Sequence, residues 1–256
     1  IYTGKIDVLV GLPLSFNIAF ATVLVPSISK LMAQKKKEDA NKVVKFSLLA
    51  TILIGLPCTF GMMVFAEQIL KLLYPNAPEG AQLLQITSLT IILMMMAQTI
   101  NGVLQGIGKY RVPATALALG VIAKFILNLI LIPIPSIGIN GVAIGSIVCH
   151  IISFSIGFAV LKRAMKIKFD VNKFLIKPLL ATAIMCLISY LAYLLLVQFI
   201  SWKLSAIVAI ILAVPIYALA VAIMKILDKE EIYRLPKGEL IYKLLVKMKL
   251  YPSEVQ

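Results

Sequence analysis

Charged residues are scarce in this chain. Asp, Glu, Lys and Arg together make up 14% of its 256 residues, against about a quarter in a water-soluble domain, so water is not its main solvent. Histidine occurs once, as His150, and cysteine three times, as Cys58, Cys149 and Cys186. Each cysteine falls inside a different apolar run, at no metal-ligand spacing and in no evident disulfide framework. They read as small buried hydrophobes and leave the redox compartment open. There are no paired intramembrane carboxylates, no Walker loop and no Gly-x-Ser-x-Gly elbow. Nothing is left from which to build an active site, so the chain reads as a non-enzyme with no cofactor and no metal. Short alternating strands are missing too, which excludes a membrane barrel. The first residue is Ile1 rather than Met, and no signal peptide with a basic start and a small-residue cleavage site precedes the first apolar run. The chain is therefore expected to be the carboxy-terminal portion of something longer.

What the sequence has in quantity is apolar length. Hydrophobic residues make up 61% of the chain, and mean hydropathy is +1.00. They come in runs of roughly 20, the number a helix needs to cross a hydrocarbon core about 30 Å thick. Inside that layer each backbone N–H and C=O must be satisfied within its own segment, so the runs are read as helices. Seven such runs occupy 8–28, 47–66, 83–104, 112–132, 141–161, 174–199 and 204–227. The fold class is therefore all-α, a polytopic membrane helical bundle of about seven transmembrane helices. Connections are short, and some carry turn chemistry, as at Tyr74-Pro75-Asn76 and Pro133-Ile134-Pro135. Pro13, Pro57 and Pro215 fall inside helices, where neighbouring helices can re-satisfy the freed carbonyls.

The basic residues are distributed unevenly. All but four of the 25 lysines and arginines fall in the loops on one side, among them Lys30, Lys36, Lys109, Arg111, Lys162, Lys173 and the tail from Lys225 to Lys249. The opposite side holds Lys5, Lys71 and Lys203, and Lys124 lies within a helix. This is a positive-inside pattern that places the tail in the cytoplasm and the start of the chain outside. It also accounts for the net charge of +14 through a basic face beside anionic headgroups. No aromatic-rich binding module interleaves the charges, and nucleic acid is set aside as a partner. After Pro236, Leu240, Ile241, Leu244, Leu245 and Met248 share one helical face flanked by lysines. That suits a helix in the membrane interface, or one packed on cytoplasmic loops.

Polar residues inside the runs mark candidate sites. In the fourth run Ala116, Gly120, Lys124 and Asn128 recur every four residues as one stripe. Lys124 stands about twelve residues in, and a lysine at the bilayer centre costs about 3 kcal/mol. It reads as an anchor for an anionic substrate or a member of a switchable ion pair, against a structural lysine bonded to carbonyls. In the third run Gln98, Asn101 and Gln105 share a face, as substrate contacts or as interhelical hydrogen-bonding groups. In the fifth, Ser146, His150, Ser153 and Gly157 share a face beside Gly141 and Gly145, whose spacing reads as close helix packing. His150 is either a proton relay or a hydrogen-bonded structural histidine. Asn17 in the first run is a weaker candidate of the same type. Glu67 and Glu79 lie outside the helices and Asp7 at a helix mouth. The last two runs hold little beyond Ser, Thr and Tyr, and read as scaffold or a lipid-facing pair.

Three stretches carry a family resemblance. Leu12-Pro-Leu-Ser-Phe-Asn-Ile-Ala-Phe-Ala-Thr-Val-Leu-Val-Pro-Ser-Ile-Ser29, followed by a basic loop, resembles the eighth helix of the lipid-linked oligosaccharide flippases. Asn101-Gly-Val-Leu-Gln-Gly-Ile-Gly-Lys-Tyr-Arg-Val-Pro113 resembles the tenth helix and its turn, and Gly138-Ile-Asn-Gly-Val-Ala-Ile-Gly145 the start of the twelfth. Nearly the whole chain is similar to the stage V sporulation protein B and MurJ-like branch of the multidrug/oligosaccharidyl-lipid/polysaccharide exporter superfamily. The resemblance implies a fourteen-helix transporter fold of which this chain holds helices eight to fourteen. It implies a second transport lobe over 1–165, a final transmembrane pair over 166–228, and a cytoplasmic tail with an amphipathic helix over 229–256. It also implies a partner lobe, the missing amino-terminal half of the same protein, and a central cavity with cationic residues. One such residue lies near the outer start of the eighth helix, where Lys5 is the nearest basic residue here.

The implied activity is export of a lipid-linked cell-wall precursor, an undecaprenyl-pyrophosphate glycan such as lipid II, across the plasma membrane by alternating access. Membrane lipid and this lipid-linked glycan are then the expected partners. A cation-coupled multidrug or metabolite exporter of the same superfamily is the rival. It wants a carboxylate in the cavity, and the seven runs hold none near mid-membrane. A non-transporting scaffold is the third reading, and it predicts no polar stripes on three consecutive helices.

Overall fold

The computed structural model describes residues 2–76, 78–235, 237–248 and 250–251. Ile1, Pro236 and Lys249, which entered the reading of the chain's start and tail, lie outside the described residues. Among the described residues there is no strand, and seven helices are long and apolar enough to cross a membrane. The chain is a multi-pass membrane protein. In order these helices are α1 (Asp7–Ala33), α2 (Lys37–Val64), α4 (Ala81–Gly106), α5 (Arg111–Leu131), α6 (Asn140–Met165), α7 (Lys177–Leu196) and α8 (Trp202–Ile223). Short helices α3 (Ala66–Leu73), α9 (Lys229–Tyr233) and α10 (Gly238–Lys247) complete the set. Single π-helical turns, Tyr2–Ile6 and Asn172–Ile176, lead into α1 and α7.

Two compact units divide the chain, Ile1–Phe169 and Asp170–Gln256. In the first, α4 is the hub: α1, α2 and α6 all pack on it, and α5 packs on α6. The core forms where apolar residues of different helices meet. Ile6, Leu9, Val10 and Leu14 at the start of α1 meet Leu70 of α3, Leu84, Ile91 and Met95 of α4, and Ala143 of α6, all buried. Because lipid is as apolar as these side chains, the hydrophobic effect does not draw the helices together, and close packing and hydrogen bonds must. Small residues supply the close packing. A Cβ on Gly102 would lie 2.6 Å from the Ala21 carbonyl oxygen, and one on Gly106 would lie 2.8 Å from Ile28 Cβ. This Gly-x-x-x-Gly pair sets the α1/α4 distance. The second unit is the α7/α8 hairpin with α9 and α10.

Helix ends differ from the expected ones. α2 begins at Lys37 rather than near residue 47, and carries Lys42 and Lys45 on its first turns. Hydropathy reads only the embedded part of a helix, and the helix runs on into the headgroup region. Glu67, expected outside the helices, lies on the short helix α3 and pairs with Lys71 at 2.5 Å. That helix of eight residues is too short to be seen as a span.

Candidate functional site

The polar candidates sort into two groups within the first unit. The first is a knot between α1, α2 and α4. The Asn17 amide donates to the Met95 carbonyl at 2.9 Å and to Gln98 Oε1 at 3.0 Å. Thr51 and Thr99 hydroxyls lie 2.7 Å apart, each 3.5 Å from Asn17 Oδ1. Asn17, Thr51 and Thr99 are all buried. Asn17 and Gln98, whose sequence reading left a cavity role and interhelical hydrogen bonding both open, bond to each other and hold three helices together. Thr51 and Thr99 were missed because hydroxyls are common in apolar runs, and only their shared neighbour singles them out. Replacing Asn17 with Leu is expected to lower the stability of the purified protein by roughly 1–2 kcal/mol, at about 0.6 kcal/mol per interhelical bond. Thermal unfolding in detergent checks this, with the transport rate of the protein that remains folded unchanged.

The second group surrounds Lys124. The α5 stripe does not face an open cavity along its whole length, since its small residues form a seam on α6. A Cβ on Gly120 would lie 2.5 Å from the Cys149 carbonyl oxygen, and one on Gly145 would run into Asn128 Oδ1. Ala116 is fully packed. The Gly141–Gly145 spacing is close packing, as expected: Leu131 Cβ would sit 2.9 Å from a Cβ on Gly141. Lys124 lies at the edge of this seam, half-buried, with its stem against Gly145. It stands three residues past the midpoint of α5 and seven before its end, roughly 5 Å from the helix centre and 10 Å from the rim along the axis.

Among the described residues the Lys124 ammonium makes no hydrogen bond and no ion pair, and it interacts through space with Asp7, Cys149 and His150. Asp7 opens α1, and α1 and α5 do not pack on each other. A cation on α5 and an exposed carboxylate at the start of α1 thus act on each other through space without forming an ion pair. Asp7 was read as lying at a helix mouth, and no one-dimensional signal ties it to residue 124. His150 Nδ1 donates to the Ser146 carbonyl at 2.7 Å, a bond within its own helix, and Asn128 Oδ1 is buried with no hydrogen-bond partner.

The remaining candidates lie outside both groups. Lys5 Nζ sits 5.3 Å from the centre of the Tyr74 ring, a cation–π contact. Asn101 is half-buried and Gln105 exposed on the last turns of α4. Among the described residues no three His, Cys, Asp or Glu side chains gather as a metal site. Chemically, the Lys124 group offers a positive charge on a half-buried helix face, which can bind an anionic ligand.

Packed helices, seven of them long and apolar enough to span a bilayer, make this a polytopic membrane protein, and one of them carries a lysine. The sequence profile of the lipid II flippase MurJ family matches residues 6–213, and the chain belongs to that family. It is 31% identical over 131 residues to an uncharacterized membrane protein, YabM, of Bacillus subtilis (strain 168), covering 51% of this chain and 24% of that one. It is 26% identical over 167 residues to the lipid II flippase MurJ of the same organism, covering 64% and 30%. With that organism's stage V sporulation protein B it shares 22% identity over 238 residues, covering 91% and 45%. The chain therefore spans less than half the length of these relatives.

Proposed function

We propose that this chain forms the second lobe of a flippase that exports a lipid-linked cell-wall precursor, with Lys124 as the cation that meets its pyrophosphate. The observation that carries this reading is the Lys124 ammonium itself: half-buried in a spanning helix, without a hydrogen bond or ion pair to a described residue. A lysine in that setting costs about 3 kcal/mol at the bilayer centre and somewhat less toward the rim, unless water or a ligand offsets it. A doubly charged pyrophosphate is such a ligand, and relatives named as flippases make a lipid-linked one the natural choice. A single lobe cannot alternate access by itself, so the reading includes a second lobe that closes the other side of the site.

The Asp7 carboxylate supports a second use of the same space. It interacts with Lys124 through space, and it can hold the lysine when no substrate is bound. A cation-coupled exporter would instead use Asp7 as its ion ligand, so Asp7→Asn separates the two. Transport by the flippase is retained, and transport by a cation-coupled exporter is lost.

The basic loops supply the proposed orientation, with the loop after α1, the loop after α4 and the tail all cytoplasmic. Cysteine substitution tests it. A cysteine replacing the exposed Glu79 is expected to react with an impermeant thiol reagent in intact cells, and one replacing the exposed Lys36 is not. The reverse pattern inverts the lobe.

A further inference from the structure

The second unit contains a cleft of about 720 Å³ between the C-terminal half of α8 and the segment from Leu227 to Tyr251. Its volume falls within the range of roughly 300–1,000 Å³ that small-molecule pockets occupy. Its walls are apolar. Leu219 on α8 faces it from one side, and Leu240, Ile241, Leu244 and Met248 of α10 from the other. These side chains are 38% to 63% exposed, because α8 and α10 do not pack on each other. Two apolar faces thus confront one another across a gap.

The gap is braced from behind, so it is not a loose tail beside a helix. Tyr242, on the far side of α10, lies 5.4 Å from the Tyr233 ring and 6.0 Å from the Tyr251 ring. The Tyr251 hydroxyl donates to the Leu227 carbonyl at 2.7 Å. Asp228 caps α9 and, with Glu231, holds Lys173 at 2.5 and 2.8 Å, which ties the segment to the start of α7. Among the described residues Lys237 is the one charged residue on the cleft wall, and its ammonium pairs with no described carboxylate. Lys243 and Lys247 add exposed positive charge on the same helix, against the single Glu239.

We propose that this cleft is a binding site for one anionic phospholipid: an acyl chain lies between α8 and α10, and the headgroup phosphate sits at Lys237. Three observations select this occupant. The walls are long and apolar, as a hydrocarbon chain requires. The cleft opens beside the end of a membrane-spanning helix, where phospholipid is the solvent. Among the described residues the only charge on it is positive, which selects an anionic headgroup over a zwitterionic one. The site is independent of the Lys124 group and of transport.

The test is fluorescence quenching by lipids brominated on their acyl chains. The purified chain in detergent carries Trp202→Phe, which removes its one native tryptophan, and Leu244→Trp, which reports from the cleft. Brominated phosphatidylglycerol is expected to quench saturably, near one lipid per chain. Ala218→Phe fills the cleft and abolishes that quenching. Lys237→Gln weakens phosphatidylglycerol roughly fivefold, the loss of one phosphate-directed cation, and leaves brominated phosphatidylcholine unchanged. Quenching that rises linearly with either lipid, or that ignores Lys237→Gln, overturns the site. Displacement of the brominated lipid by an equal amount of undecaprenyl pyrophosphate assigns the cleft to a transported lipid and overturns it too. So does a lipid-free dimer, seen by native mass spectrometry, that dissociates on Leu244→Lys.

Discussion

Lys124→Glu in the whole protein is expected to abolish exposure of the lipid-linked precursor on the outer leaflet at near-normal protein level. The substitution puts a carboxylate where the proposal places a pyrophosphate, within reach of the field of Asp7, with which Lys124 now interacts favourably through space. Repulsion between like charges adds to the lost attraction, and both act in a medium of low polarity where screening is weak. Lys124→Arg keeps part of the activity, because a point contact with phosphate needs charge more than shape, although the guanidinium is larger beside Gly145. Lys124→Gln falls between the two. The series is read by quantifying protein in the membrane alongside precursor accessible from outside. If all three variants accumulate poorly, the lysine is structural. If all three are abundant and export normally, Lys124 does not touch the substrate.

Gly102→Ala is expected to lower stability by about 1–3 kcal/mol, whereas Gly11→Ala raises it slightly. Both glycines lie within spanning helices. A methyl on Gly102 would lie 2.6 Å from the backbone oxygen of Ala21, an atom that moves only if α1 moves, while a methyl on Gly11 meets nothing within 4 Å. Overpacking against backbone forces the two helices apart and strips the Asn17 knot of its geometry, since Asn17 reaches Met95 and Gln98 across the same seam. At Gly11 only the helix propensity of alanine acts, worth roughly 0.5–1 kcal/mol in favour of folding. Thermal unfolding of the purified variants in one detergent gives both signs. Equal effects at the two positions would remove the seam from the account.

The sequence made the spanning helices legible because the bilayer imposes a length, and each run met it. It also exposed the Gly141–Gly145 seam, since a four-residue spacing of glycines has one common mechanical use. The same spacing at Gly102 and Gly106 went unread, folded into a stretch valued for its family likeness. For Asn17 the sequence leaves both readings open, because a polar residue on a spanning helix looks the same from its own chain whether it faces water or a neighbour's carbonyl. Only the position of Met95, 78 residues away, decides. Lys124 was legible for the opposite reason, since an ammonium in hydrocarbon stands out wherever it points. Its relation to Asp7 was not, because helix packing and no local pattern sets the distance between the start of α1 and the middle of α5. Helix α3 was too short for the hydropathy that found the rest.

The central claim is that the protein carrying this lobe moves a pyrophosphate-linked glycan lipid outward. Its most direct measurement is outer-leaflet exposure of that lipid in cells depleted of the whole protein, then restored with the wild type or with Lys124→Glu. The account predicts that exposure falls on depletion while the precursor accumulates inside, returns with the wild type, and does not return with Lys124→Glu. Exposure that stays constant through depletion, with no inner accumulation and no other flippase induced, would contradict it.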